Sequence, residues 1–165
     1  MESEEHSKEG RRMKVMGFRA DPTAARYAIV NFDGTTYRFD NANSESRLTY
    51  PADIDQASKK VLWLYREIER IFHANSEIAA VAVKTNEYGL TEKAAMRESS
   101  YAEAAVVLLS EQRGKTVFIK TYASLGTRSA DVKSQAEQRV GRTDKYWDNK
   151  IADAVIAAWW GTRQL

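Results

Sequence analysis

Met13-Lys-Val-Met-Gly-Phe-Arg-Ala20 predicts the first strand of a sheet, buried along most of its length. The dipeptide Asp21-Pro22 ends this strand, because aspartate followed by proline favours a turn. A second strand is predicted at Arg26–Phe32 and a third at Thr35–Asp40, joined by the hairpin signal Asp33-Gly34. The chain is therefore expected to open with a three-strand meander.

After the meander, the pattern changes to alternating helices and strands. Apolar residues recur at helical spacing from Asp53 to His73, whereas Ile78–Val83 is a continuous apolar run typical of a central strand. The other predicted elements are a polar loop at Asn41–Pro51, helices at Glu92–Gln112, Ser129–Val140 (capped by Ser129) and Asp144–Trp160, and a strand at Thr116–Tyr122. This order predicts an α/β fold with a mixed five-stranded sheet and helices on both faces.

Composition indicates one globular domain. The chain has 165 residues, of which 43% are hydrophobic and 29% are charged, and it has no cysteine, which excludes disulfides and thiolate-bound metals. We expect residues 1–12, rich in charged side chains, to form a mobile tail and residues 13–165 to form the domain. No apolar run approaches the roughly 20 residues of a membrane span and no signal pattern is visible, so we expect a cytoplasmic protein without a membrane partner.

Positive charge is concentrated in one segment of the chain. Residues 1–112 carry 15 Lys and Arg against 18 Asp and Glu, whereas residues 113–150 carry nine basic residues against four acidic ones. A basic segment on a neutral background suits contacts with nucleic-acid phosphates. Charge alone, however, more often marks a solvated surface of mixed charge.

Short segments at both ends of the predicted domain carry a specific pattern. Lys14-Val-Met-Gly-Phe-Arg-Ala-Asp-Pro22, followed by Arg26-Tyr-Ala-Ile-Val30, places a glycine in a first strand that leads into a hairpin. Ala130-Asp-Val-Lys133 and Gly141-Arg-Thr-Asp-Lys145 precede a last helix that contains Ile151-Ala-Asp-Ala-Val155. With the element order, these segments resemble the RuvC-type Holliday-junction resolvases of the RNase H superfamily. The resemblance implies an RNase H-like fold over most of the chain.

The resemblance also implies where an active enzyme would hold its metals. In active members, acids from the first strand, the fourth strand and the last helix bind two divalent cations, which stabilise the attacking and leaving oxygens. Carried onto this sequence, the first-strand acid falls on Arg19, the fourth-strand acid on Lys84, and the two helix acids on Lys150 and Asp153. Only Asp153 is acidic, so we expect neither metal nor cofactor.

Neighbouring acids leave a diverged nuclease open as an alternative. Asp21 shares a strand face with Arg19 if the strand continues, Glu87 lies in the loop after the fourth strand, and Asp148 lies five residues before Asp153. These four acids are the residual catalytic candidates. Asp21 and Asp153 would then be the ligands of Mg²⁺ or Mn²⁺.

Electrostatics favours the loss of the metal. Three basic side chains around one carboxylate would repel a divalent cation at short range, but they could pair with the carboxylate or hold a phosphate. We therefore predict an ion cluster of Arg19, Asp153 and Lys150. The candidate nucleic-acid-binding residues are Arg19, Lys84, Asn86, Arg128, Lys133, Arg142, Lys145 and Lys150.

Two helices carry further predictions. Under the resemblance, Glu92–Gln112 is the dimer helix of resolvases, and its run Ala102-Glu-Ala-Ala-Val-Val-Leu-Leu109 is apolar enough to cover the sheet and contact a second copy. We therefore predict a homodimer through this helix. On the last helix, the spacing of Trp147 and Trp159 with Ile151 favours core packing over base stacking.

Three function classes follow from the sequence. The leading hypothesis is a RuvC-like protein that binds DNA or RNA and has lost nuclease activity, which makes it a pseudonuclease. The first alternative is a diverged endonuclease that depends on Mg²⁺ or Mn²⁺. The second is a structural or regulatory subunit that binds protein through an exposed apolar patch.

Overall fold

A mixed sheet lies between two layers of helices in the computed structural model, which describes residues 12–165. Its strands run in the order β3-β2-β1-β5-β6, with β4 paired to β2 beside β3. The strands are β1 (Met13–Arg19), β2 (Ala24–Phe32), β3 (Tyr37–Phe39), β4 (Arg47–Thr49), β5 (Ala80–Lys84) and β6 (Thr116–Lys120). The helices are α1 (Ala57–Ala74), α2 (Ala94–Gln112), α3 (Tyr122–Leu125), α4 (Val132–Arg139) and α5 (Asn149–Thr162).

The predicted α/β architecture is confirmed. β1, β2 and β3 form the antiparallel meander, and β1, β5 and β6 are parallel to one another. Helices α1 and α2 pack on one face of the sheet and α4 and α5 on the other, each over its own apolar core. Within residues 12–165, no helix is long and apolar enough to cross a membrane. The predicted tail lies outside the described residues apart from Arg12.

The segment predicted as a polar loop at Asn41–Pro51 contains the extra strand β4. Leu48 of β4 is buried, and the Asn41 side chain joins the ladder, because its Oδ1 accepts from the Ile29 N–H at 2.7 Å and its Nδ2 donates to the Tyr27 carbonyl at 3.2 Å. An amide side chain thus takes the place of a backbone pairing. A strand of three residues is too short to produce a visible alternation.

The last two helices begin later than predicted. The last helix starts at Asn149 and not at Asp144, because Tyr146 adopts a positive φ of 60° and the Asp148 side chain caps the helix by accepting from the Ile151 N–H at 2.9 Å. The N-cap of α4 is Asp131, so the prediction of Ser129 as the cap is wrong. Asp148 therefore lies at the boundary of α5 and not inside the helix.

Helix α5 lies directly on β1. A Cβ placed on Gly17 would come within 1.7 Å of the Ala154 carbonyl oxygen, so only glycine allows this approach. Small residues on α5, among them Ala154 and Ala158, complete the contact. Trp147 packs against the same core, as its spacing predicts, whereas the prediction is wrong for Trp159, which is half-buried outside this core. This close approach brings Asp153 of α5 to the end of β1.

Candidate functional site

Five basic side chains lie in a row across the sheet, which we call the basic row. Arg19 of β1 pairs in register with Arg26 of β2, which pairs with Arg47 of β4. On the other side, Arg19 Nη1 donates to the Lys84 carbonyl at 3.4 Å, and Lys84 pairs in register with Lys120 of β6. Residues in register project from the same face of a sheet, so the row lies under α5.

A buried carboxylate sits over the middle of the basic row. Asp153 Oδ2 accepts from Arg19 Nε at 3.0 Å, and Oδ1 accepts from the Tyr122 hydroxyl at 2.7 Å. Arg19 is 7% exposed and Asp153 is 1% exposed. Arg19 Nη1 also donates to Asn86 Oδ1 at 3.0 Å. The predicted pairing of Arg19 with Asp153 is confirmed, and it fixes the loop after β5 through Asn86.

The Lys84 ammonium occupies the space beside this pair. Lys84 is fully buried, and its Nζ lies 3.9 Å from the centre of the Tyr122 ring and 3.1 Å from Glu87 Oε1. It also donates to the Thr85 carbonyl. Glu87 Oε1 accepts from the Tyr122 N–H at 2.7 Å. Lys84 and Glu87 together tie the loop after β5 to the start of α3.

Lys150 does not join the Asp153 cluster, so that part of the prediction is wrong. Its Nζ lies 3.6 Å from Asp21 Oδ1 instead. Both oxygens of Asp153 are already occupied inside the fold, whereas Lys150 lies in the first turn of α5 and its side chain is 37% exposed. Asp21 also pairs with Arg26, whose Nη1 lies 3.6 Å from Asp21 Oδ2. Arg26 Nη2 lies 3.1 Å from Asp148 Oδ2. A second, outer ion cluster therefore forms at the β1–β2 turn.

Burial shifts the pKa values at the centre of the site. Loss of water raises the pKa of Asp153, although Tyr122, Arg19 and Lys84 act in the opposite direction. Burial and the nearby Arg19 guanidinium lower the pKa of Lys84, against the attraction of Glu87 and Asp153. Each group is therefore destabilised in its charged form by burial and depends on its partners to remain charged.

Glu103 of α2 approaches the same centre from the other face of the sheet. Its Oε2 accepts from Thr85 Oγ1 at 3.0 Å, while its buried Oε1 has no partner among the described residues. Burial raises the pKa of Glu103. Sequence reasoning missed this acid because its position on an apolar helix gives no sign of where it points.

The four residual acids are each engaged by basic groups. Asp21 pairs with Lys150 and with Arg26, and Glu87 pairs with Lys84. Asp148 pairs with Arg26, and Asp153 pairs with Arg19. Within residues 12–165, no group of three or more acidic or histidine side chains is arranged to hold a metal ion. Each of these acids would have to leave its basic partner in order to bind a metal ion.

The remaining predicted binding residues surround the site unevenly. Asn149 Nδ2 donates to the Ser129 carbonyl at 3.2 Å, which brings the exposed Arg128 to the start of α5, near Lys150. Lys145 is exposed in the loop before α5. Lys133 and Arg142 are exposed at the two ends of the α4 region, where Arg142 pairs with Glu137 at 3.3 Å. Of the predicted exposed residues, Arg128, Lys145 and Lys150 thus lie near the start of α5.

Sequence reasoning missed several residues of the site. Arg26, Arg47 and Lys120 belong to the basic row, and Tyr122 holds both Asp153 and Lys84. The register between β1 and β2 places Arg19 opposite Arg26, and the sequence alone does not fix that register. Tyr122 was predicted to end a strand, but β6 ends at Lys120 and Tyr122 begins the four-residue helix α3, which is too short to show a periodicity.

Comparison with known proteins identifies the fold. The chain matches no protein-family model and no curated protein sequence. Among solved structures, it resembles Thermus thermophilus RuvC with a TM-score of 0.73 and 16% sequence identity, over 92% of this chain and 96% of that one. T. thermophilus RuvC in complex with a Holliday junction substrate matches with a TM-score of 0.72, 16% identity and the same coverage. The fold is thus RNase H-like, in its RuvC-like form.

The Arg19–Asp153 pair generates a stability prediction. Arg19→Met should lower the free energy of unfolding by about 3–5 kcal/mol, because it leaves a buried carboxylate without its cation. Asp153→Asn in the same chain should recover much of this stability, since asparagine still accepts from Tyr122. Urea unfolding at neutral pH measures both. Arg97→Met is the control, because its ion pair with Glu92 is exposed and should contribute about 1 kcal/mol or less.

The pH dependence of the Arg19→Met variant provides a second check. Burial raises the pKa of Asp153 in the folded state. As the pH falls, Asp153 therefore becomes protonated in the folded chain at a higher pH than in the unfolded chain. The destabilisation caused by Arg19→Met should therefore shrink as the pH falls through the folded-state pKa of Asp153. A destabilisation that persists in the double variant with Asp153→Asn would contradict the assigned role of the pair.

Proposed function

We propose that this protein binds nucleic acid through its RuvC-like scaffold and does not cleave it. The Arg19–Asp153 ion pair carries the proposal. By the resemblance, the end of β1 is where active members place a metal-binding aspartate, and here that position holds a guanidinium 3.0 Å from the one retained acid. The cation at the centre of the site is therefore part of the protein.

The energetics of metal binding support the absence of cleavage. A divalent cation at the site would have to displace Arg19 from Asp153 and approach the buried ammonium of Lys84. A double and a single positive charge 4 Å apart repel by roughly 8 kcal/mol at an effective dielectric constant of about 20. Two-metal phosphoester cleavage requires the opposite arrangement, with several oxygen ligands around the cations.

Direct contacts to nucleic acid are assigned to exposed residues. Arg19 and Lys84 are buried and paired, so their part in the proposal is to hold the site together without touching a ligand. Lys150, Arg128 and Lys145 lie around the start of α5, and their side chains reach solvent. A phosphate there competes with Asp131 for Arg128 and with Asp21 for Lys150. The RuvC structure with a Holliday junction substrate supports DNA as the ligand class.

The loop after β5 adds groups that suit nucleic-acid contacts. Tyr88 is 92% exposed and Leu90 is also fully exposed, although both are large and apolar. The loop is anchored at its base by Asn86 and Glu87. Because the loop is fixed at its base, its exposed tyrosine and leucine side chains could pack against bases next to the phosphate contacts.

A binding assay tests the first half of the proposed function. The protein should bind DNA or RNA with an affinity that falls steeply with salt, because phosphate contacts release counterions. Replacing Arg128, Lys145 and Lys150 together by Gln should weaken binding and reduce the salt slope by about 0.9 for each duplex phosphate that is no longer neutralised. Arg113→Gln is the control, because Arg113 lies at the end of α2 beside Glu69 of α1, on the face of the sheet opposite α5. Fluorescence anisotropy at two salt concentrations measures the change.

The same samples test cleavage. Incubation of single-stranded, duplex and branched DNA and of RNA with Mg²⁺ or Mn²⁺ should leave every substrate intact. Cleavage that disappears on Asp153→Asn would contradict the proposal and favour the diverged nuclease. Asp21, Glu87 and Asp148 would then be the next acids to replace.

An apolar groove supports a second role in protein association. Leu62 of α1 and Tyr101 and Leu108 of α2 are about half-exposed on the outer face of these helices. They line one groove together with Val61 and Tyr65. Exposed apolar side chains that are contiguous favour a partner. We propose that this surface joins two copies of the chain, with α2 at its centre.

Sedimentation equilibrium tests the proposed homodimer. The native chain should shift from monomer to dimer as its concentration rises, and Leu108→Glu should keep it monomeric, because a charge would lose water on burial. Lys133→Glu on α4 is the control, because α4 packs on the opposite face of the sheet. A native chain that stays monomeric throughout would contradict the proposal.

A further inference from the structure

Three aromatic rings form a continuous surface near the end of α5. The rings of Phe32 and Tyr37 stack with centroids 4.4 Å apart and an interplanar angle of 19°. The Tyr37 ring then meets Trp159 at 6.4 Å and 55°. All three side chains are half-buried, so part of each ring faces solvent. A stepped row of partly exposed rings is the kind of surface on which unpaired bases stack.

Two guanidinium groups lie on the last ring of this surface. The Cζ atoms of Arg139 and Arg163 lie 4.2 and 4.9 Å from the centre of Trp159. Within residues 12–165, neither guanidinium pairs with a carboxylate, unlike Arg19, Arg26 and the other arginines engaged in ion pairs. A guanidinium that contacts an indole ring and has no carboxylate partner keeps N–H groups available for an oxyanion. We call Arg139, Trp159 and Arg163 the Trp159 clamp.

The Trp159 clamp is separate from the basic row. Trp159 follows Asp153 by six residues, which corresponds to about 9 Å along the helix and about 240° around it. The rings adjoining Trp159 belong to the β2–β3 hairpin, at the end of the sheet where β1 begins. The proposed function at the start of α5 uses none of these residues, so the clamp is an unassigned feature.

We infer that the Trp159 clamp and the adjoining rings bind single-stranded nucleic acid. Arg139 and Arg163 hold backbone phosphates, while Tyr37 and Phe32 stack on unpaired bases. Duplex nucleic acid does not fit this chemistry, because its bases are stacked on one another and turned away from the protein. The surface provides a second nucleic-acid contact on the same domain, independent of the site at the basic row.

Anisotropy with labelled single-stranded oligothymidylate tests the inference. Combined Arg139→Gln and Arg163→Gln should weaken single-strand binding by about tenfold or more and leave duplex binding unchanged. Arg38→Gln is the matched control, because Arg38 lies beside Tyr37 on β3 but pairs with Asp40. Circular dichroism and thermal unfolding establish that each variant is folded.

An abasic oligonucleotide separates stacking from charge. It has the same phosphates without bases, so the native protein should bind it about tenfold more weakly than oligothymidylate. Tyr37→Leu should remove most of that difference, and this single variant keeps the test decisive if the double arginine variant does not fold. If the abasic and normal strands bind equally, the inference is overturned, because attraction between the arginines and the phosphates then explains the binding without base stacking.

The outcomes at the two surfaces are distinguishable. If the Arg128, Lys145 and Lys150 variant loses duplex binding while the clamp variant keeps full single-strand binding, the clamp is wrong and the proposed function stands. If only the clamp variant weakens binding, the inference stands and the assignment at the start of α5 fails. A native chain that binds no single strand overturns the inference directly.

Discussion

The fold and the site both depend on the buried ion pair between Arg19 and Asp153. A carboxylate that is 1% exposed requires a compensating cation, and Gly17 allows α5 to approach β1 closely enough for Arg19 to supply it. Asn86 and Tyr122 bind the same pair, so the loop after β5 and helix α3 are positioned by it. In a metal-dependent nuclease of this fold, bound cations would satisfy such a carboxylate. Here the chain supplies its own.

Charge is compensated unevenly along the basic row, and this bears on function. The three inner cations, Lys84, Arg19 and Arg26, each contact an acid, whereas the outer two stack on aromatic rings. Arg47 lies over Tyr146 and Lys120 over Trp160, and neither forms an ion pair within residues 12–165. Acids thus neutralise the cations in the middle of the basic row, whereas the cations at its two ends keep their positive charge uncompensated among the described residues. This distribution is consistent with the proposed binding of an anionic polymer.

Sequence patterns predicted the sheet, the helices on both faces and the Arg19–Asp153 pair, because each rests on strong periodicity or on a residue type that requires a partner. The sequence patterns failed where the outcome depends on how far a side chain extends or on the register between two strands. Lys150 pairs with Asp21 because a long side chain in a first helical turn can choose between two acids. β4 was missed because a strand of three residues is too short to show an alternation, and Tyr122 because a four-residue helix has no periodicity. The partners of Arg26 and Arg47 needed a strand register that the sequence alone does not fix.

Thermal unfolding with and without divalent metal tests the central claim, that protein-borne cations occupy the place of metals. The native chain should unfold at the same temperature in chelator and in excess Mg²⁺ or Mn²⁺. A chain carrying Arg19→Asp, Lys84→Glu and Lys150→Asp should unfold at a lower temperature in chelator, because its acids repel, and should be stabilised by metal by an amount that grows with metal concentration. Stabilisation of the native chain by metal that disappears on Asp153→Asn would contradict the account.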